Sequence, residues 1–241
     1  MEGPACGWIK QLYFLIMEDI RFRITALEPQ IHREDRVNVY LDGAFAFGLD
    51  RETVLVNALH EGDEITEHMI DDVLLSEERV RAKDRALGCL SRRSHTVREL
   101  TMKLQRMGFS GRTTARVVHD FSRVGLLDDG QFARLFASSQ MSRNPVGKRL
   151  LRDMLKVRGI EEETAKQAVE EAYGPSSEID VVRKLVRKRK PAEGIRNLKE
   201  KKKLAGFLTR RGFGWDVIRT VLDEGGLDDG SSGEFSFHEA E

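Results

Sequence analysis

The residues best equipped for chemistry in this chain are cations. Arg187-Lys188-Arg189-Lys190 is an unbroken run, Lys199, Lys201, Lys202 and Lys203 crowd the next cluster, and Arg210-Arg211 follow. Arg92-Arg93, Arg98, Lys103 and Lys148-Arg149 are smaller groups upstream. Guanidinium and ammonium groups share one competence, the capture of anions such as phosphates or acidic protein surface. Many such runs are only solvated helix faces, and some of these side chains serve the negative C-terminal end of their own helix. Here density favours the binding role. Residues 181–211 hold 13 basic and 2 acidic side chains, net +11, within a chain whose formal net charge is zero. The remainder is polarised as well: net −10 over residues 1–80, +6 over 81–180 and −7 over 212–241. Such a block is the electrostatic footprint of a polyanion partner.

Other chemistry finds no seat. Gly147-Lys148 lacks the upstream glycine of a phosphate-binding loop, and Gly206, Gly212 and Gly214 neither match the dinucleotide pattern nor follow a strand. The six histidines are scattered, and His60 and His68 form no ligand motif with Cys89. The acid pairs Asp71-Asp72 and Asp128-Asp129 are adjacent in sequence, so they do not converge from one helix face and suit capping better. No serine or cysteine sits in a nucleophile elbow. The chain reads as a non-enzymatic binding protein with no cofactor and no metal. Its two cysteines, Cys6 and Cys89, make no disulfide framework, which fits a reducing, cytoplasmic setting. The only candidate stretch, Trp8 to Met17, contains Lys10 and Gln11, is too short to span a bilayer and has no small-residue cleavage site after it. Residues 1–16 read as an extension, with Met17 a candidate start.

The cations must be positioned by helices, and the helices repeat. Aligned on Gly108, Gly159 and Gly212, the chain shows leucine four residues before each glycine (Leu104, Leu155, Leu208) and again four before that (Leu100, Leu151, Leu204). Phe109, Ile160 or Phe213 follows each glycine, and Val117-Val118, Ala168-Val169 or Val221-Leu222 lies nine and ten positions on. Leucines at i and i+4 share a helix face. The glycine suits the left-handed residue that ends the helix, and the next apolar residue closes the turn. A further helix precedes each pair, near 77–92, 129–142 and 177–190. One such copy carries no weight, but three with the same offsets imply stacked three-helix units, expected to form a curved array. Thr96-Val-Arg-Glu99 is a capping box, Asp128 and Asp129 open the next unit, and Asn144-Pro145 puts proline at a first turn.

Ahead of the repeats lies a small α+β head. Phe22–Leu27, Val37–Leu41 and Ala44–Phe47 read as strands, and Asp42-Gly43 fits a type I′ hairpin turn pairing Leu41 with Ala44, Tyr40 with Phe45 and Val39 with Ala46. Asp50 is expected to cap a short helix ending near His60, Thr66 to cap a second, and Ser76 to open a third. The expected divisions are an extension (1–16), head (17–75), repeat 1 (76–127), repeat 2 (128–174), repeat 3 (175–224) and an acidic tail (225–241). The tail's composition reads as disordered and solubilising, or as a shield for the basic block.

The run from Arg93 to Phe109, including Thr96-Val-Arg-Glu99-Leu100 and Gly108-Phe109, resembles the first repeat of the RecX family, as does Gly125-Leu-Leu-Asp128-Asp129-Gly-Gln-Phe132-Ala133 at the junction with the second. Gly147 to Ile160 resembles the second repeat, and Leu208-Thr-Arg-Arg-Gly212-Phe213 with Asp216-Val-Ile218 the third. The hairpin resembles the N-terminal extension of some members. The resemblance covers about residues 80–224. It implies three tandem three-helix repeats, no catalytic residues, and a monomer that modulates RecA, usually as an inhibitor, by lying in the groove of the RecA–single-stranded-DNA filament and damping strand exchange and the SOS response. Charge and periodicity agree with this but do not name RecA. A protein that binds DNA directly through helix-turn-helix-like units is the alternative, and a generic scaffold the third.

Overall fold

The glycine-anchored helices form as their spacing requires. In the computed structural model, which describes residues 20–189 and 198–224, the chain divides into two units, residues 1–127 and 128–241. Among the described residues are four strands and ten helices. The extension 1–16, Lys190 and the acidic tail lie outside them.

The first unit begins with strands β1 (Arg21–Gln30), β2 (Arg33–Leu41) and β3 (Ala44–Asp50), then helix α1 (Arg51–Val56) and strand β4 (Glu64–Thr66). They form one antiparallel sheet in the order β3-β2-β1-β4. Asp42 (φ 50°) and Gly43 (φ 84°) both adopt the positive φ that the type I′ turn demands. Leu41 pairs with Ala44 and Tyr40 with Phe45, whose rings meet edge to face at 6.0 Å. Val39 pairs with Phe47 rather than Ala46, because a bulge between Tyr40 and Val39 inserts one residue. That slip lets Phe47 pack against the head core of Ile24, Val39, Leu41, Leu49, Leu59, Ile65 and Val73. Strand β1 is longer than the apolar run suggests, and β4 lacks the length to be seen in sequence.

Helix α2 (Glu67–Leu90) is one continuous helix of 24 residues; Ser76, read as a fresh start, lies inside it. Thr66 caps it, accepting a hydrogen bond from the Met69 N–H at 3.3 Å. Its C-terminal half packs with α3 (Val97–Arg106) and α4 (Gly111–Arg123) around Ala82, Ala86, Leu100, Leu104, Val117, Val118 and Phe121. A charged knot fastens the sheet to α2. Glu77 Oε2 accepts hydrogen bonds from the Asp50 N–H (2.7 Å) and the Thr53 hydroxyl (2.8 Å), and the Arg36 guanidinium reaches Glu77 at 3.3 Å and Asp50 at 3.6 Å. Asp50 therefore precedes α1 without capping it through its side chain, and α1 ends at Val56.

The second unit holds α5 (Asp129–Arg143), α6 (Lys148–Val157), α7 (Glu162–Tyr173), α8 (Glu178–Arg189), α9 (Leu198–Arg210) and α10 (Trp215–Glu224). One core serves both repeats here, running from Ala133 through Leu151, Leu155, Ala168 and Val169 to Leu204, Leu208, Ile218 and Leu222. The three glycine turns are the same motif: Phe109, Ile160 and Phe213 donate to Leu104, Leu155 and Leu208, while Gly108, Gly159 and Gly212 donate to Gln105, Lys156 and Thr209. This double closure, with φ of 92°, 88° and 75° at the glycines, is the Schellman arrangement. Pro145 lies outside α6, whose N-cap is Gly147. Position 147 itself requires glycine: a Cβ there would stand 2.1 Å from the Gly212 carbonyl oxygen, so only glycine lets the two turns touch.

Candidate polyanion-binding surface

In the first unit the expected cations are spread out. Arg92 is exposed in the turn after α2, while Arg93 donates to Glu99 at 2.7 Å and to the Ser94 carbonyl at 2.9 Å. Arg98 is exposed and Lys103 half-buried on α3, and their spacing of five sets them on different faces. Beside them His95 is buried. Its Nδ1 lies 2.9 Å from the Arg93 carbonyl and its Nε2 has no hydrogen-bond partner among the described residues. Burial, together with Arg93 and Lys103, holds this imidazole below its ordinary value of 6.5, against the pull of its carbonyl bond.

The second unit gathers its cations more tightly. Lys148 begins α6, where its Nζ meets Glu170 at 2.6 Å and lies over the Tyr173 ring, and its amide donates to Glu178 at 2.7 Å. Arg149, exposed, and Arg152 join Lys148 in lining a cleft of about 480 Å³ beside Gly212, Phe213 and Gly214. Arg187, Lys188 and Arg189 are exposed in the last turn of α8, where they also answer the helix dipole.

Helix α9 sorts its own lysines. Leu204 and Leu208 face the core. Lys199, Lys203, Phe207 and Arg210, spaced by four, four and three, share one flank of the helix. Lys199, Lys203 and Arg210 are exposed there, with no ion pair among the described residues. Lys201 falls on another flank and is half-buried, its ammonium 2.9 Å from Asp223 on α10. Lys202 is exposed on the side away from the core. The four lysines therefore do not make one face.

Phe207 has a role that sequence reading missed. The guanidinium of Arg189 lies 4.1 Å from its ring centre and that of Arg211 lies 4.4 Å away, so α8 and the end of α9 meet across one aromatic ring. Arg211 also donates to the Pro145 carbonyl at 3.0 Å, and its own carbonyl accepts from the Gly147 N–H. Burial, and the neighbouring charge of Arg189, lower the pKa of Arg211. By contrast Arg183, on the same helix α8, is saturated by carboxylates. It pairs with Glu224 at 2.7 Å and Asp180 at 3.2 Å, and the Glu224 hydrogen bond chiefly raises its pKa. The signal for Phe207 was available, since it lies four residues from both Lys203 and Arg211; its contact with Arg189 was not.

Among the described residues no group of three or more His, Cys, Asp or Glu side chains is placed to hold a metal, and no helix is long and apolar enough to cross a membrane. Fold and surface together define a helical-repeat protein with a β-sheet head and its densest cationic flank in the last repeat.

Comparison with known proteins gives that class its family. Profiles described as the regulatory protein RecX N-terminal domain and the first, second and third RecX three-helix domains match residues 22–66, 82–121, 128–169 and 176–222. The chain belongs to the RecX family. It is 28% identical over 206 residues to the regulatory protein RecX of Clostridium acetobutylicum, covering 83% of this chain and 95% of that one. With the protein of the same name from Clostridioides difficile it shares 29% identity over 204 residues, covering 83% and 94%. In fold it is similar to a crystal structure of regulatory protein RecX, with a TM-score of 0.65 and 23% identity over 84% of this chain and 99% of that one. It is also similar to RecX from Lactobacillus salivarius, with a TM-score of 0.52 and 18% identity over 62% and 97%.

Proposed function

We propose that this chain is a regulator of RecA that binds the RecA–single-stranded-DNA filament and lowers its recombinase, ATPase and coprotease activities, acting in the cytoplasm in DNA repair and the SOS response. The observation that carries the reading, beyond membership of the family, is the cationic flank of the third repeat. Lys199, Lys203 and Arg210 stand exposed and unpaired among the described residues, and Arg187 and Lys188 are exposed at the end of α8. Residues 1–80, by contrast, carry net −10, so this end is where a polyanion gains most.

Three tandem units engage a repeating partner with several weak contacts at once. Each contact after the first is intramolecular, so the sum greatly exceeds the parts. Arg92, Arg93, Arg98, Lys103, Lys148 and Arg149 contribute such secondary contacts in this scheme, with Arg187, Lys188, Arg189, Lys199, Lys203, Arg210 and Arg211 as the main grip. No bound cofactor and no bond-making step are required, because the effect is on filament growth.

The test is RecA ATPase and strand exchange on single-stranded DNA with and without this protein. Dose-dependent loss of both, weakening as salt rises, is expected. An unchanged RecA rate at saturating protein refutes the reading. Binding to naked DNA as tight as binding to the filament turns it toward the alternative of a direct DNA-binding protein.

A further inference from the structure

The pair of arginines on Phe207 is not explained by folding alone. On the same helix as Arg189, Arg183 ends on carboxylates, those of Glu224 and Asp180. Neither Arg189 nor Arg211 has a carboxylate within ion-pair distance among the described residues. Two like charges within 4.4 Å of one ring centre separate best across the ring, one to each face. The ring attracts each of them by its quadrupole, which holds in place two cations that otherwise repel. The result is two planar donor groups held against one ring, with no carboxylate partner among the described residues, beside the exposed Lys203 and Arg210.

We propose that Arg189 and Arg211, held on Phe207, are a binding site for the phosphodiester backbone of a single nucleic-acid strand, read without regard to base. The inference rests on the polyanion-binding reading above and names its ligand. Guanidinium, rather than ammonium, is the group whose planar fork matches two phosphate oxygens. The base-independence follows from the ring. Aromatic residues in single-strand grooves ordinarily stack on bases through a free face. With guanidinium groups 4.1 and 4.4 Å from its centre, Phe207 serves as a support for cations rather than as a free platform for bases. Arg211 is further fixed by its bond to the Pro145 carbonyl, so little freedom remains to be lost on binding.

The test uses the full chain and a labelled oligothymidylate strand, with fluorescence anisotropy over a salt series, and a strand of abasic deoxyribose phosphate as the second probe. Each phosphate contact on a single strand contributes about 0.7 to the slope of log affinity against log salt. Arg189→Gln should lower the slope by about 0.7 and the double variant Arg189→Gln/Arg211→Gln by about 1.4. The larger change is worth about sevenfold in affinity across a fourfold salt range. Arg189 is exposed at a helix end, and thermal melting of its single variant separates lost binding from a loosened contact with Phe207. Wild-type protein should bind the abasic strand as well as oligothymidylate.

An unchanged slope in Arg189→Gln overturns the site, as does failure of wild-type protein to bind either strand. Loss of abasic binding alone overturns base-independence. RecA ATPase with the same variants separates this proposal from the broader one. If the variants lose their effect on RecA yet bind naked strands normally, the arginines meet an acidic protein surface and the phosphate assignment is wrong. If the slope falls as stated while wild-type protein leaves RecA unaffected, the phosphate site stands and the RecA reading fails.

Discussion

Replacing Glu77 by alanine should unfasten the sheet from α2, and the size of the loss follows from its contacts. The carboxylate is buried, accepts the Asp50 N–H at 2.7 Å and the Thr53 hydroxyl at 2.8 Å, and neutralises Arg36 at 3.3 Å. Hydrogen bonds to a charged acceptor are worth about 1.5–3 kcal/mol each, and breaking a buried pair by deleting one member costs about 3–5 kcal/mol. Two features pull towards the lower end. Arg36 keeps Asp50 at 3.6 Å, and Asp50 is relieved of the Glu77 charge which, after burial, is what raises its pKa. The expected loss is therefore about 3 kcal/mol, or roughly 11–13 °C in the melting of a unit of this size. Glu77→Gln keeps one acceptor oxygen without the charge and should lose about half as much. Urea unfolding of both variants measures this, with amide hydrogen exchange reporting on β2, β3 and the middle of α2. A loss under about 1 kcal/mol in Glu77→Ala would mean that the polar knot is not what fixes the head to the helix.

Gly147→Ala sets a Cβ 2.1 Å from the Gly212 carbonyl oxygen, backbone that cannot swing aside, and should cost at least about 1–3 kcal/mol in unfolding of the second unit; a neutral result refutes the close packing of the two turns. His95 is a base whose folded pKa lies below 6.5, with burial as the leading cause, so the unfolded chain takes up its proton first and stability is lost as pH falls below 6.5. His95→Leu should flatten that part of the pH–stability curve, and an identical slope in both proteins refutes it. In salt-dependent binding to single strands, Lys199→Gln/Lys203→Gln should lower the slope by about 1.4, whereas Lys201→Gln, whose ammonium is already paired with Asp223, should change it little; equal effects would show that the two flanks of α9 act alike.

The repeat was legible because its determinants are local. Leucines at i and i+4, a glycine with positive φ and an apolar residue after it lie within ten positions, and each copy closes with the same two backbone hydrogen bonds. The hairpin turn at Asp42-Gly43 was legible for the same reason. What failed depends on partners distant in sequence. Ser76 looked like a helix start because serine caps helices, yet the helix runs through it and Thr66 is the cap. Asp50 looked like a cap, but its carboxylate is turned to Arg36. The bulge beside Val39 answers the packing of Phe47 in the core, which no alternation pattern records. At the surface, composition located the cationic block but did not sort it, since Lys201 is distinguished from Lys199 and Lys203 only by Asp223 on the next helix.

That sorting changes what the net charge of +11 over residues 181–211 means. Two acids from the negative stretch after it return as the end of α10, where Asp223 takes Lys201 and Arg219 and Glu224 takes Arg183. Their carboxylates sit below the ordinary range, Asp223 chiefly through its hydrogen bond from Lys201 and Glu224 through that from Arg183. These bonds hold α10 against α8 and α9 and withdraw Lys201 and Arg183 from any outside partner. The cations left over are not random survivors. Lys199, Lys203 and Arg210 share one flank of α9, and Phe207 on that flank carries Arg189 and Arg211. Internal pairing therefore leaves the Lys199–Lys203–Arg210 flank of α9 open, while Lys184 and Arg187 stay exposed on the Arg183 flank of α8. In the binding mode proposed above, a strand laid along the α9 flank would meet several unpaired cations at once, and each counterion released would add to the same salt-dependent grip.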